Sequence, residues 1–302
     1  MSRNTENAMK QAMEYLSAHQ DEIQTDEDAN RLLQEFVQQY NSGLIQPRPS
    51  QPETADDYLE LAEDAKTKKA AMGYIKKALE LEPDNLDALL MQAERNAKWP
   101  LDLVISLPPI IEKGDALMER EGCFQEDMGE FWGVLETRPY MRLRYSYLQA
   151  LKNSGMMRKA VAEGERLMEL CESDNLGVRY DLIYLYAHLE EEEKALALFH
   201  ASEYNEKDSQ MLLAISVLYF KLGELDTSLD YLKKLRKCNK DTKKFLRLVS
   251  RGDQEEIFAA GGSEFGYRPY TMEELVTAFQ ENVFLLTSVM NYFQWANKQI
   301  KN

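Results

Sequence analysis

Cysteine and histidine are scarce in this chain, with three of each among 302 residues. Cys123, Cys171 and Cys238 are odd in number, far apart and outside any CxxC pair. That pattern excludes a disulfide framework and a zinc ribbon, and it fits a reducing compartment. His19, His188 and His200 show no HExxH or related ligand spacing, so neither a metal nor a cofactor is expected. Phosphate-cradling loops are missing as well: neither GxxxxGK[ST] nor GxGxxG occurs, and there is no GxSxG elbow. With no nucleophile, metal ligand set or phosphate cradle in a recognisable pattern, the expectation is a protein that is not an enzyme. Long apolar runs are absent; no stretch approaches the roughly 18 uninterrupted apolar residues of a membrane span. The opening MSRNTENAMKQ has no apolar signal core, so a cytoplasmic location is expected. Positive charge is in the minority, 36 basic against 52 acidic residues, for a formal net charge of −16. Such a surface repels polyanions at long range, so no nucleic acid and no membrane is expected as a partner.

What the chain does have is helical periodicity, clearest over residues 136–239. Tyr147, Leu148 and Leu151 form one apolar stripe, Gly155 ends it, and Ala160, Val161, Leu167 and Met168 form a second. Leu182, Ile183 and Tyr186 then lead to Ala195, Leu196, Leu198 and Phe199. Leu213, Ile215, Val217 and Tyr219 lead through Gly223 to Ser228, Leu229, Leu232 and Leu235. Ala160, Ala195 and Ser228 open the second helix of each pair at separations of 35 and 33 residues. A small side chain there lets two antiparallel helices approach closely. Gly155 and Gly223 suit the left-handed residue that ends a first helix. The middle pair has Glu190 at that place, which leaves its turn geometry open but not its helices. The acidic run Glu190 to Glu193 reads as a solvated cap at the positive end of a helix.

Ahead of these pairs, the stripes Ala8, Ala12, Leu16 and Leu32, Leu33, Phe36, Val37, Tyr40 predict an N-terminal helical hairpin over residues 1–41, its second helix capped by Thr25 or Asp26. Residues 42–53, with Pro47, Pro49 and Pro52, read as a linker. Residues 54–135 read as irregular helix pairs, with Thr54 as an N-cap and a split expected at Pro108 and Pro109. Between Gly129 and Tyr145, Phe131, Trp132 and Tyr140 alternate with Arg138, Arg142 and Arg144, which reads as core aromatics beside exposed arginines. Residues 240–302 read as capping helices: Phe245, Leu246 and Val249, a loop at Gly261 and Gly262, a capping box from Thr271 to Glu274, then an apolar stretch from Phe284 to Trp295 that covers the last pair or, alternatively, forms a dimer interface or partner-binding helix.

A helix pair recurring about every 34 residues is the tetratricopeptide signature. The string KKALELEPDNLDALL and the three pairs together resemble the tetratricopeptide repeat family, in particular bacterial members of it. The resemblance implies an all-α fold, a right-handed α-α superhelix whose concave side is lined by each pair's first helix and holds a protein or peptide. By position, that lining is Arg142, Tyr145, Gln149, Lys152 and Asn153, then Tyr180, Tyr184 and His188, then Gln210, Leu213, Val217, Phe220 and Lys221. Members that grip a C-terminal carboxylate use lysine and asparagine where this chain has Tyr145 and Gln149, so that activity is not implied. The functional expectation is a scaffold binding a peptide in this groove, with alanine at Arg142, Tyr145, Tyr180 and Tyr184 weakening binding but leaving helicity unchanged. The alternative is a peptide-sensing regulator that signals through the N-terminal hairpin.

Overall fold

The computed structural model describes residues 3–45, 52–252, 254–262 and 266–300. Among the described residues there are nineteen α-helices, two short 3-10 turns and no β-strand, so the chain is all-α. Part of the expected linker, residues 46–51, lies outside the described residues. The chain divides into two compact units, Met1–Tyr147 and Leu148–Asn302.

In the first unit, α1 (Arg3–Ala18) and α2 (Asp26–Asn41) form the expected hairpin. Thr25 caps α2: its hydroxyl accepts from the Asp28 amide at 3.3 Å, and the Asp28 carboxylate accepts from the Thr25 amide at 3.1 Å. Thr54 and Asp57 repeat that reciprocal arrangement at the start of α3 (Ala55–Glu63). With α4 (Lys68–Leu81) and α5 (Leu86–Asn96), α3 closes a small core around Leu59, Ala62, Ala71, Ile75 and Ala78. The alanines keep these helices close, and Leu59 and Ile75 supply the buried apolar area. The proline pair splits the next segment as expected. Proline fits the first turn of a helix but not its interior, so α6 (Pro100–Ser106) ends and α7 (Pro108–Arg120) begins at Pro108. A short α8 (Cys123–Glu126) leads to α9 (Arg138–Asn153), within which the unit boundary falls.

The second unit continues with α10 (Met157–Leu170), α11 (Val178–Leu189), α12 (Glu192–His200), α13 (Ser209–Lys221) and α14 (Leu225–Cys238). The second helices of the three pairs start at Met157, Glu192 and Leu225, again 35 and 33 residues apart. Ala160, Ala195 and Ser228 are all completely buried. Ser228 meets its polarity at the crossing: Ser216 donates to the Ser228 carbonyl at 2.9 Å, and Ser228 donates to the Ser216 carbonyl at 2.7 Å.

The three turns are alike, which settles the geometry left open at Glu190. Gly155, Glu190 and Gly223 have φ of 75°, 61° and 83°. Each is followed by an amide that reaches back five residues: Met156 to Leu151, Glu191 to Tyr186 and Glu224 to Tyr219. The helix-ending bond imposes the left-handed residue whether or not glycine supplies it.

Every residue of α13 from Ser209 to Tyr219 is buried, so this helix needs neighbours on all sides. Its neighbours include α14 and α11, and the segment that follows, α15 (Thr242–Arg251), α16 (Gln254–Ala259), α17 (Met272–Glu281), α18 (Val283–Leu286) and α19 (Met290–Gln299), adds α17 and, through Tyr292, α19. Helices α17 and α18 lie on the first helices α13 and α11, while α19 packs on α15 and α14. The terminal segment therefore covers more than the last pair. The expected Thr271–Glu274 capping box is not formed. Thr271 accepts from the Glu273 amide, while Glu274 reaches one residue further back to the Tyr270 amide at 2.6 Å and is itself buried.

Candidate functional site

The expected lining falls into two groups, one in each unit. In the second unit, Lys152 and Gln149 of α9 both bond Asp181 of α11. The Lys152 ammonium and Asp181 carboxylate form a buried ion pair, and Gln149 Nε2 donates to Asp181 Oδ2 at 2.9 Å. Burying two opposite charges side by side leaves neither for another ligand. Tyr184, one helical turn beyond Asp181, is completely enclosed, and its hydroxyl donates to the Gln210 carbonyl at 3.0 Å. Burial pushes that phenol well above its ordinary value of 10.

Tyr180, one turn before Tyr184, is half-buried. Its hydroxyl donates to Asp208 Oδ2 at 2.9 Å, and the Arg179 guanidinium sits 4.5 Å from its ring. Burial and the Asp208 charge raise this phenol too. Lys221 donates to the carbonyls of Ala187 and His188 at 2.9 and 2.5 Å and lies 3.4 Å from Glu190, so it serves the carboxyl end of α11.

The chain's own last helices occupy the rest of the face. His188 meets Phe284 edge-on at 5.4 Å, and Phe220 lies 5.4 Å from Tyr292 and 5.3 Å from Trp295. Tyr292 is fully buried and donates to Ser216 Oγ at 2.9 Å. Gln210 donates to Tyr267 at 2.7 Å, and Leu213 and Val217 have no exposure. Burial, and then the Lys221 charge, push the His188 imidazole below its ordinary 6.5.

In the first unit, Arg142 is held by two carboxylates. It forks onto Asp87 at 2.9 and 2.6 Å and reaches both Glu6 oxygens at 2.8 and 2.9 Å. Burial works against its charge, but the bonds to Asp87 and Glu6 outweigh that and hold it above its ordinary value. Glu6 lies 3.5 Å from Arg138 as well, so α1 is tied to α9 by a buried carboxylate. Beside these groups is a cavity of about 140 Å³ lined by Glu6, Lys10, Asp56, Asn85, Asp87 and Arg142. Phe131, Trp132 and Tyr140 are core, as expected. The arginines between them are not exposed: Arg138 is buried with Nε donating to the Trp132 carbonyl, and Arg144 donates to the Tyr140 hydroxyl at 2.6 Å.

The open groove expected from the repeat is thus altered at named positions. Lys152, Tyr184, Leu213 and Val217 are enclosed; Arg142 and Lys221 are engaged within the fold; Phe220 and His188 face the terminal helices. Asn153 is exposed, and Tyr145, Gln149 and Tyr180 are half-buried. The alanine test must change accordingly, because removing the enclosed Tyr184 ring leaves a core cavity rather than a smoother surface. Periodicity identifies the first-helix face but carries no information about which distant segment lies on it.

A groove that the sequence reading missed lies elsewhere in the second unit. It measures about 490 Å³ and is lined by Glu206, Lys207, Leu212, Lys234, Lys237, Cys238 and Tyr270. The overall charge of −16 hid its signal, a local run of nine Lys and Arg between Lys233 and Arg251. Among the described residues, no three His, Cys, Asp or Glu side chains come together as metal ligands, and no helix is long and apolar enough to cross a membrane. Compared with protein-family models and with curated proteins, the chain matches none.

Proposed function

We propose that this protein is a non-enzymatic scaffold of tetratricopeptide-like helix pairs, coiled as a right-handed superhelix, that holds a segment of another protein along the first helices of its pairs. The observation that carries the reading is what α11 and α13 already hold. Their first-helix face takes the chain's own helical segment through Phe284, Tyr292 and Trp295. A face that buries one aromatic, amphipathic segment has the chemistry to bind another. In the second unit the part of that face left for a partner is Asn153 with Gln149 and Tyr180. The test is a photoreactive residue placed at Asn153 in the full-length protein and, as a control, at exposed Lys69. Irradiation in native cytosol should give a discrete protein adduct from position 153 that excess unlabelled protein suppresses. Equal labelling from both positions would overturn the reading.

A second reading, a regulator sensing a bound segment through its N-terminal hairpin, is favoured by one observation. Glu6 of that hairpin is buried against Arg142, one of the residues expected to line the groove. A ligand carboxylate that took over Arg142 would displace Glu6 and loosen α1. Glu6→Gln should therefore raise amide exchange in α1, measured by hydrogen exchange, while leaving α11 to α14 protected. Unchanged exchange in α1 would remove the support for this reading.

A further inference from the structure

The groove beside α14 is independent of the first-helix face, and its charge is opposite to that of the molecule. Residues 233–251 contain nine Lys and Arg and one acidic residue, Asp241. That gives the stretch +8 and leaves −24 on the rest of the chain, given the total of −16. Local helix electrostatics account for only part of this. Arg236 and Lys237 suit the last turn of α14, where the helix dipole favours cations. Lys244 instead occupies the first turn of α15, the end that disfavours a cation, and the carboxylate of the N-cap residue Asp241 accepts from the Met272 amide at 3.0 Å. Arg247 and Arg251 are spaced four apart, as are Lys243 and Arg247, and like charges at that spacing repel along a helix. Lys237, Lys240, Lys244, Arg247 and Arg251 are exposed, and none has an ion-pair partner among the described residues. This arrangement works against the stability of the isolated fold.

The groove adds shape to that charge. Leu212 and Cys238 form an apolar wall, with Lys207, Lys234 and Lys237 around it. Tyr270, 43% exposed, completes the wall with its backbone at φ 59°, a conformation unusual for a bulky residue. Exposed Tyr204 lies close enough to Tyr270 to raise its phenol, although burial is the larger cause. The one carboxylate on the wall, Glu206, is within 2.7 Å of His200 Nδ1. Glu203 pairs with Lys207 at 3.3 Å, an exposed pair, while Asp208 is engaged in capping α13 and Glu274 is buried, so Lys234 and Lys237 are the lysines left to a ligand.

We propose that this groove docks an acidic segment of another protein, with carboxylates on Lys234 and Lys237 and one aromatic or aliphatic side chain in the space between Leu212, Cys238 and Tyr270. The volume suits one or two side chains rather than a folded domain. The sign of the surroundings selects a short acidic segment over nucleic acid or an anionic membrane. A long polyanion or an extended lipid surface must also meet the remaining net −24, whereas a short segment meets only the basic stretch.

Fluorescence anisotropy on the full-length protein tests this with a short labelled peptide of aspartates and glutamates around a Leu-Phe pair. Binding is expected to weaken as salt rises. It should also weaken by roughly tenfold or more in K234E/K237E, because each reversed charge meets a carboxylate. The control K68E/K69E, which reverses two exposed lysines on α4, changes net charge equally and should bind as wild type. Thermal melting confirms that both variants are folded. No binding of the peptide would overturn the proposal, as would equal binding of its glutamine and asparagine counterpart or equal weakening in the control. So would tighter binding of a single-stranded RNA oligonucleotide or of phosphatidylserine vesicles. Because no residue of the groove belongs to the first-helix face, either proposal can fail without the other.

Discussion

The buried pair between Lys152 and Asp181 offers the sharpest way to separate a structural role from a binding role on α9. Lys152→Met keeps the length of the side chain and removes its charge. The Asp181 carboxylate, 7% exposed, is then left with the Gln149 amide as its remaining hydrogen-bond donor from this cluster. Stranding a buried charge in this way costs about 3–5 kcal/mol, whereas replacing both partners with apolar residues is often neutral or better. Lys152→Met alone should therefore destabilise the second unit by about 3–5 kcal/mol. Lys152→Met with Asp181→Leu should lie within about 1–2 kcal/mol of wild type, giving a large coupling in the double-mutant cycle. Urea unfolding followed by fluorescence measures this. Trp295 is the only tryptophan in the second unit, so a background with Trp99→Phe and Trp132→Phe makes the signal specific to it. Midpoint and slope together give the free-energy change. A loss below about 1 kcal/mol for Lys152→Met would refute the reasoning, because an exposed pair contributes no more than that. Lys152 would then be free to meet a partner, as the repeat position suggested.

Three further outcomes are expected. Gly73→Ala and Gly164→Ala should have opposite signs, read from melting temperatures. A Cβ at Gly73 meets nothing within 4 Å, so alanine should stabilise α4 by about 0.5–1 kcal/mol; a Cβ at Gly164 would lie 2.7 Å from Leu182 Cδ2, and overpacking should cost about 1–3 kcal/mol. Glu274 has its pKa raised above 4.5, chiefly by burial, so the folded state keeps a proton that the unfolded chain has lost. Its contribution is full below pH 4.5 and is lost as pH rises through the folded pKa; Glu274→Gln should flatten that decline in the urea midpoint, and an unchanged slope would count against it. Glu190→Gly should stabilise by about 0.5–1 kcal/mol: it relieves a left-handed backbone that costs an L-residue about 1–2 kcal/mol, and greater freedom in the unfolded chain offsets part of the gain. A lower melting temperature would show that the Glu190 contact with Lys221 outweighs the backbone term.

The helix pairs were legible in the chain because their causes are local. A stripe every three or four residues, a small residue at each crossing and a capping Thr54 act within one or two turns, so α9 to α14 fall where the periodicity predicts. The turn at Glu190 was not legible because composition points to glycine, while geometry is set by the amide of Glu191 reaching back to Tyr186. Glu274 was misread because its carboxylate has a tertiary neighbour, Asn239, 35 residues away.

Residue order alone determined that this chain makes helices, that its second helices repeat at 35 and 33 residues, and that Ala160, Ala195 and Ser228 sit at the crossings. Tertiary structure decided what covers them. Helices α17 and α18 lie on α13 and α11, Glu6 meets Arg142 across 136 residues, and Lys207 joins Lys237 around one groove. Local patterns report which side of a helix is apolar. Which distant segment buries that side depends on the competition among all such faces in the folded chain, and no short window of sequence contains it.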